Sequence, residues 1–127
     1  MSALVLDAGA LLAVERGDRP TMARLRAAQL HGLDLRTSAI VLGQVWRSGE
    51  GRQARLARFL RAVDSRSVDE QMGRRAGVLL ARAGTDDPIG ATVVLVAENG
   101  DRILTSDRTD IERLVAASGV RAAVVVC

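Results

Sequence analysis

"DPIGATVVLVAENGDRILTSDRTDIERLVAASG", residues 87–119, changes its hydrophobic pattern twice, and those changes decide the fold. Asp87 followed by Pro88 reads as a cap and first position of a helix over 87–100, with Gly100 just past its end. "RILTSD" (102–107) is a short aliphatic run, a strand, that stops in two hydroxyls and a carboxylate. "RTDIERLVAASG" (108–119) is again a helix. Helix, strand and helix in direct succession point to a parallel sheet, because parallel neighbours need a crossover on the face of the sheet.

The same alternation extends back to the start of the chain. "ALVLD" (3–7) is a first strand, and a helix follows Asp7. "RPTMARLRAAQLHG" (19–32) has Met22, Leu25 and Leu30 near helical spacing, with Pro20 in its first turn. "LDLRTSAI" (33–40) is a second strand and "VLGQVWRSG" (41–49) a short helix closed by Gly49. "RQARLARFLRAVD" (52–64) is an amphipathic helix with Leu56, Phe59, Leu60 and Val63 on one face and Arg52, Arg55 and Arg58 on another. A brief strand over 65–69, a helix over 70–84 and a last strand over 121–127 complete the series. No repeat or linker divides the chain. The expectation is one domain over 1–127, a three-layer α/β/α sandwich with a mainly parallel sheet of about five strands. Ligands in such sheets bind beyond the carboxyl ends of the strands, where the strand order reverses.

Composition removes several kinds of chemistry. All 18 basic residues are Arg, so a P-loop and Schiff-base catalysis, which need Lys, are excluded. Cys127 and His31 stand alone in their types, which excludes a Cys/His zinc site within one chain. His31 before Gly32 reads as a helix C-terminus, where the macrodipole favours a cation. A net charge of +3 and a pI near 10.8, carried on Arg alone, suit phosphate or carboxylate partners. Trp46 and Phe59 are the only aromatics, too few for a base-stacking platform, so contact with nucleic acid should be mainly to the backbone. No apolar run is long enough to span a bilayer and the N-terminus lacks a basic n-region, so a soluble cytoplasmic protein is expected.

Three acids stand where a strand gives way to a helix: Asp7 after "LVL", Asp87 before Pro88, and Asp107 after "ILTS". Each reads well as an N-cap. On one sheet edge their carboxylates would also repel one another unless a cation offsets them. Oxygen donors without His or Cys suit Mg²⁺ or Mn²⁺. Capping and metal binding are compatible, since helix N-termini keep carboxylates ionised.

"LVLDAGALLAVERGD", "TSAIVLGQVWRSG", "DPIGATVVLVAENGDRILTSD" and the closing hydrophobic strand together resemble a PIN domain, specifically the VapC-type toxins of toxin–antitoxin pairs. The resemblance spans essentially the whole chain in order. It implies a Mg²⁺-dependent endoribonuclease acting on RNA, a VapB-type antitoxin as partner, and homodimers as a common assembly. Residue by residue, it puts the first family acid on Asp7. A second falls on Asp87, with Gly90 and Ala91 in register, and a third on Asp107, with Thr105 and Ser106 as hydrogen-bonding neighbours. Asp110, one turn beyond Asp107, is a secondary candidate that would act through water.

One position departs from the family pattern: Gln44 stands where an acid is usual, bringing an amide oxygen but no charge. Metal binding is then expected to be weaker, or another acid substitutes, Glu15 on the first helix being the candidate. The Arg stripe at 52, 55 and 58, with Arg47 nearby, is expected to grip RNA phosphates or an acidic antitoxin segment, or to be plain solvated surface. The competing function is a PIN-like binding module that has lost catalysis, and Gln44 is the feature that supports it. A haloacid-dehalogenase-like site fails because the acid it needs two residues after Asp7 is Gly9.

Overall fold

The computed structural model describes residues 2–127 and builds them into five strands and seven α-helices. β1 (Ala3–Leu6) is buried at every position and is followed by α1 (Ala8–Arg16) and α2 (Arg19–Leu30). β2 (Asp34–Ser38) leads into α3 (Ala39–Val45), a 3₁₀ turn (Gly51–Gln53) and α4 (Ala54–Leu60). Then come β3 (Val63–Arg66), α5 (Glu70–Ala83), α6 (Pro88–Leu95), β4 (Arg102–Thr105), α7 (Arg108–Ser118) and β5 (Ala123–Val126).

The sheet is parallel throughout, in the order β3-β2-β1-β4-β5. Its core is aliphatic: Leu6, Leu11, Ile103, Leu104, Ile111 and Leu114 are all but inaccessible to water. α1 packs against α2, α3 and α4, while α5, α6 and α7 pack on one another. The division follows from handedness. Right-handed crossovers put helices on one face while the chain moves from β1 out to β3, and on the other once it returns to β4 and β5. Helix ends follow local chemistry: Asp18 caps α2 through the amide and hydroxyl of Thr21, and Gly17, Gly84 and Gly119 close helices in the left-handed conformation.

Several boundaries differ from the sequence expectation. The helix expected over 87–100 ends at Leu95 because Asp101 organises the chain beyond it. Its buried carboxylate accepts from the amides of Ala3 (2.8 Å) and Glu98 (2.7 Å) and from Arg36 Nη1 (3.0 Å). Arg36, inside β2, also donates to the Val96 carbonyl at 2.9 Å. This ion pair locks β1, β2 and the entry to β4 together at the amino edge of the sheet. The brief strand expected over 65–69 forms over Val63–Arg66 instead, since α4 ends at Leu60, four residues earlier than expected, and β3 pairs from Val63 with Leu35. The second expected strand stops at Ser38, which occupies the N-cap position of α3 without a side-chain capping bond. His31 is the C-cap of α2, with its Nδ1 2.7 Å from the Ala27 carbonyl oxygen.

Candidate metal centre

β1 is the middle strand, with β2 on one side and β4 on the other, so the strand order reverses between β1 and β4. The carboxyl ends of those two strands therefore define the crevice. Asp7 immediately follows β1. Its amide donates to the Leu104 carbonyl (3.0 Å), and Leu6 pairs with Leu104, which holds Asp7 level with the end of β4. Gly9 lies against Ser106 so closely that a methyl group on Gly9 would collide with the serine side chain. Glycine at that position lets α1 start directly over the end of β4.

Each of the three acids caps a different helix. Asp7 Oδ1 accepts from the Ala8 amide (2.8 Å), Asp87 Oδ1 from the Gly90 amide (2.9 Å) and Asp107 Oδ1 from the Asp110 amide (3.4 Å). Gly90 gives Asp87 room to turn in, because a Cβ there would meet its carboxylate. Thr105, fully buried, joins two of the acids: its hydroxyl donates to Asp7 Oδ2 (2.8 Å) and accepts from the Asp107 amide (2.9 Å). Burial raises the proton affinity of Asp7, and the charges of Asp87 and Asp107 raise it further, against the lowering effect of the Ala8 amide and Thr105 hydroxyl. The three carboxylates thus share one electrostatic neighbourhood.

Among the described residues, no group of three or more His, Cys, Asp or Glu side chains is arranged to hold a metal ion. The donor chemistry nevertheless suits a hard cation. Asp87 and Asp107 spend one oxygen each on a helix N-terminus, and their second oxygens have no protein donor among the described residues. Like charges act on the partly buried Asp7, and no cationic side chain is among the influences on its proton affinity.

The remaining residues singled out in the sequence fall into two places. Ser106 and Asp110 belong to this edge, Ser106 against Gly9 and half-buried Asp110 in the first turn of α7. Gln44 is exposed near the end of α3, and its side chain makes no hydrogen bond among the described residues. Glu15 is at the far end of α1, eight residues or about 12 Å of helix from Asp7. There it accepts from Gln53 Nε2 at 2.6 Å, so it is not brought to the acids. Arg47 folds back on α3, donating to the Trp46 carbonyl (2.7 Å), which separates it from the stripe of Arg52, Arg55 and Arg58.

Sequence reasoning missed two polar arrangements. At the end of β2 the buried Ser38 and Thr92 hydroxyls are hydrogen-bonded at 2.8 Å, tying α6, which Asp87 caps, to the sheet edge. Gln53 Oε1 accepts from three successive amides, Arg47 (2.9 Å), Ser48 (3.1 Å) and Gly49 (3.0 Å), while its Nε2 also donates to the Val45 carbonyl (2.7 Å). The loop between α3 and α4 is wrapped around that one side chain.

A three-layer sandwich with acids at the switch point of a 3-2-1-4-5 parallel sheet is a PIN-like fold. Solved structures agree with it. Fourteen of their chains match this one. Among them is a chain from the crystal structure of VapBC2 from Rickettsia felis bound to a DNA fragment from their promoter. It superposes with a TM-score of 0.70 over 97% of this chain and 98% of that one, at 14% sequence identity. At such identity the likeness establishes the fold. No protein-family model matches the chain, and no curated protein matches it in sequence.

Proposed function

We propose that the chain is a VapC-type PIN-domain toxin, a metal-dependent endoribonuclease restrained by a VapB-type antitoxin. The observation that supports this reading is that Asp7, Asp87 and Asp107 each cap a helix, with Thr105 bonded to both Asp7 and the Asp107 amide and the charges of Asp87 and Asp107 acting on Asp7. Asp7, Asp87 and Asp107 would hold Mg²⁺ or Mn²⁺ through the oxygens not committed to capping, with Asp110 reaching it through water. Such a cation would supply Lewis-acid polarisation of a phosphodiester and an activated water, and hydrolysis of the P–O3′ bond would leave a 5′-phosphate on one product and a 3′-hydroxyl on the other. Thr105 holds the Asp7 carboxylate in place through the 2.8 Å bond.

A protein partner is supported by the opposite kind of surface. Leu42, Gly43, Trp46, Ala57 and Leu60, with Arg61 at one side, line a mainly apolar groove of about 590 Å³ between α3 and α4, with the Trp46 ring against Gly49. Exposed aromatic and aliphatic groups of this kind anchor helical partners, and the antitoxin is the partner proposed for it. No helix among the described residues is long and apolar enough to cross a membrane.

A second reading, a PIN-like binding module without catalysis, is favoured by the uncharged Gln44 and by the open ligand set. Incubating the purified chain with structured RNA and Mg²⁺ or Mn²⁺ separates the two, with Asp107→Asn as the contamination control. Metal-dependent cleavage lost in that variant supports the nuclease. Binding without cleavage, or cleavage equal in both preparations, rejects it.

A further inference from the structure

At the C-terminal end of α1, Arg16 joins Arg52, Arg55 and Arg58 of the 3₁₀ turn and α4 around one concavity of about 520 Å³. We infer that this basic concavity is a second anchor for the RNA sugar-phosphate backbone, remote from the scissile bond; the inference rests on the nuclease reading above. Four guanidiniums meet here on a chain whose whole net charge is +3. None of the four pairs with a carboxylate among the described residues, so all four charges are open to an anion; what sets them apart from the other unpaired arginines is that they line one concavity.

The one acid on the rim, Glu15, is turned onto Gln53 Nε2, and Arg55 reaches only its main-chain carbonyl at 3.5 Å. Gly51 and Ala54 supply the rest of the lining, so the site has no large apolar side chain. That composition favours a polyanion over a protein, because protein interfaces bury an apolar core ringed by polar groups. The apolar surface of this region lies apart, in the groove along Trp46 and Leu60. Arg55 and Arg58 leave α4 about 4.5 Å apart along its axis, Arg52 precedes them in the 3₁₀ turn, and each guanidinium fork can take a phosphate in two hydrogen bonds. α1 separates this anchor from the acids: Asp7 caps its start and Arg16 lies in its last turn, about 13 Å further on. Nucleic acid held here is fixed in orientation without being read in sequence.

The test is salt-dependent binding of a labelled single-stranded RNA to the Asp107→Asn chain, with and without the triple substitution Arg52→Gln, Arg55→Gln, Arg58→Gln. Losing three phosphate contacts should make the slope of log K against log salt shallower by about 2. The triple Arg→Lys variant, which keeps the charges, should restore most of the slope. An unchanged slope in the Gln variant, or no RNA binding at 50 mM salt, overturns the inference. So does a Gln variant that binds RNA normally but loses affinity for a polyglutamate peptide, which would give the surface to a protein partner. Cleavage assays keep this inference separate from the nuclease reading: the Gln triple in an otherwise unsubstituted chain should raise KM, whereas failure of the nuclease reading shows as no metal-dependent cleavage by the unsubstituted chain.

Discussion

Replacing Thr105 by Val tests whether the two acids at the strand ends are mechanically joined. The shapes of the two side chains match, so the change removes only the hydroxyl. Two bonds go with it, the 2.8 Å donation to Asp7 Oδ2 and the 2.9 Å acceptance from the Asp107 amide. A hydrogen bond to a charged group contributes about 1.5–3 kcal/mol and a neutral one about 1 kcal/mol, so a loss of about 2–4 kcal/mol is expected. Urea unfolding at pH 7 should show this as a lower midpoint at unchanged slope. The loss should also depend on pH. Burial already raises the proton affinity of Asp7, and the Thr105 hydroxyl opposes that rise. Without it the folded-state pKa climbs further. Between the ordinary carboxylate value and that raised value, the folded chain holds more protons than the unfolded one, and stability falls as pH increases. The deficit of the Val variant must therefore be larger at pH 7 than at pH 4. Thr105→Ser, which keeps the hydroxyl, should stay close to the unsubstituted chain. A Val variant within 0.5 kcal/mol of it, or equally weakened at both pH values, would refute the coupling.

Three further outcomes follow from the same geometry. Asp7→Asn should melt higher than the unsubstituted chain in chelator at pH 7, because it removes a partly buried charge facing Asp87 and Asp107 while keeping a good cap. The gap should close as pH falls toward the ordinary carboxylate range, and a lower melting point at pH 7 would count against it. Asp101→Ala should cost about 3–5 kcal/mol by denaturant unfolding, since it removes the buried carboxylate nearest Arg36 and leaves that buried guanidinium only the more distant, solvent-exposed Asp64 (3.8 Å) and Glu98 (3.6 Å), and adding Arg36→Met should recover part of that cost. Additive losses would contradict the pairing. Gln53→Leu should speed hydrogen exchange at the amides of Arg47, Ser48 and Gly49 by at least about tenfold, with exchange in β1 and β4 unchanged. Equal protection of those three amides would show that Gln53 does not hold the loop.

The alternation of strands and helices was legible because it rests on local signals: aliphatic runs, Asp-Pro at the start of α6, glycines at helix ends. Asp7 and Asp107 were legible for the same reason, as carboxylates at the tips of short apolar runs. What could not be read locally depends on which distant elements touch. Gln53 looks like any polar residue on an amphipathic helix until the α3–α4 loop closes over it. Arg36, in the middle of a strand, gives no sign that Asp101 will meet it across 65 residues. The end of α6 was placed too late because Val96 and Ala97 continue its apolar pattern while the turn that stops it is fixed by tertiary contacts of Asp101. Arg16 joins the stripe on α4 only through the packing of α1 on α4, and that packing also takes Glu15 to Gln53 and away from Asp7.

Calorimetric titration of Mg²⁺ into the unsubstituted chain and into Asp7→Asn at neutral pH bears most directly on the shared acidic centre. Saturable binding by the unsubstituted chain that is abolished or weakened at least about tenfold by losing this one carboxylate is the outcome predicted here. Equal heats and affinities for the two chains would mean that the carboxylates at the ends of β1 and β4 do not act on a common ion.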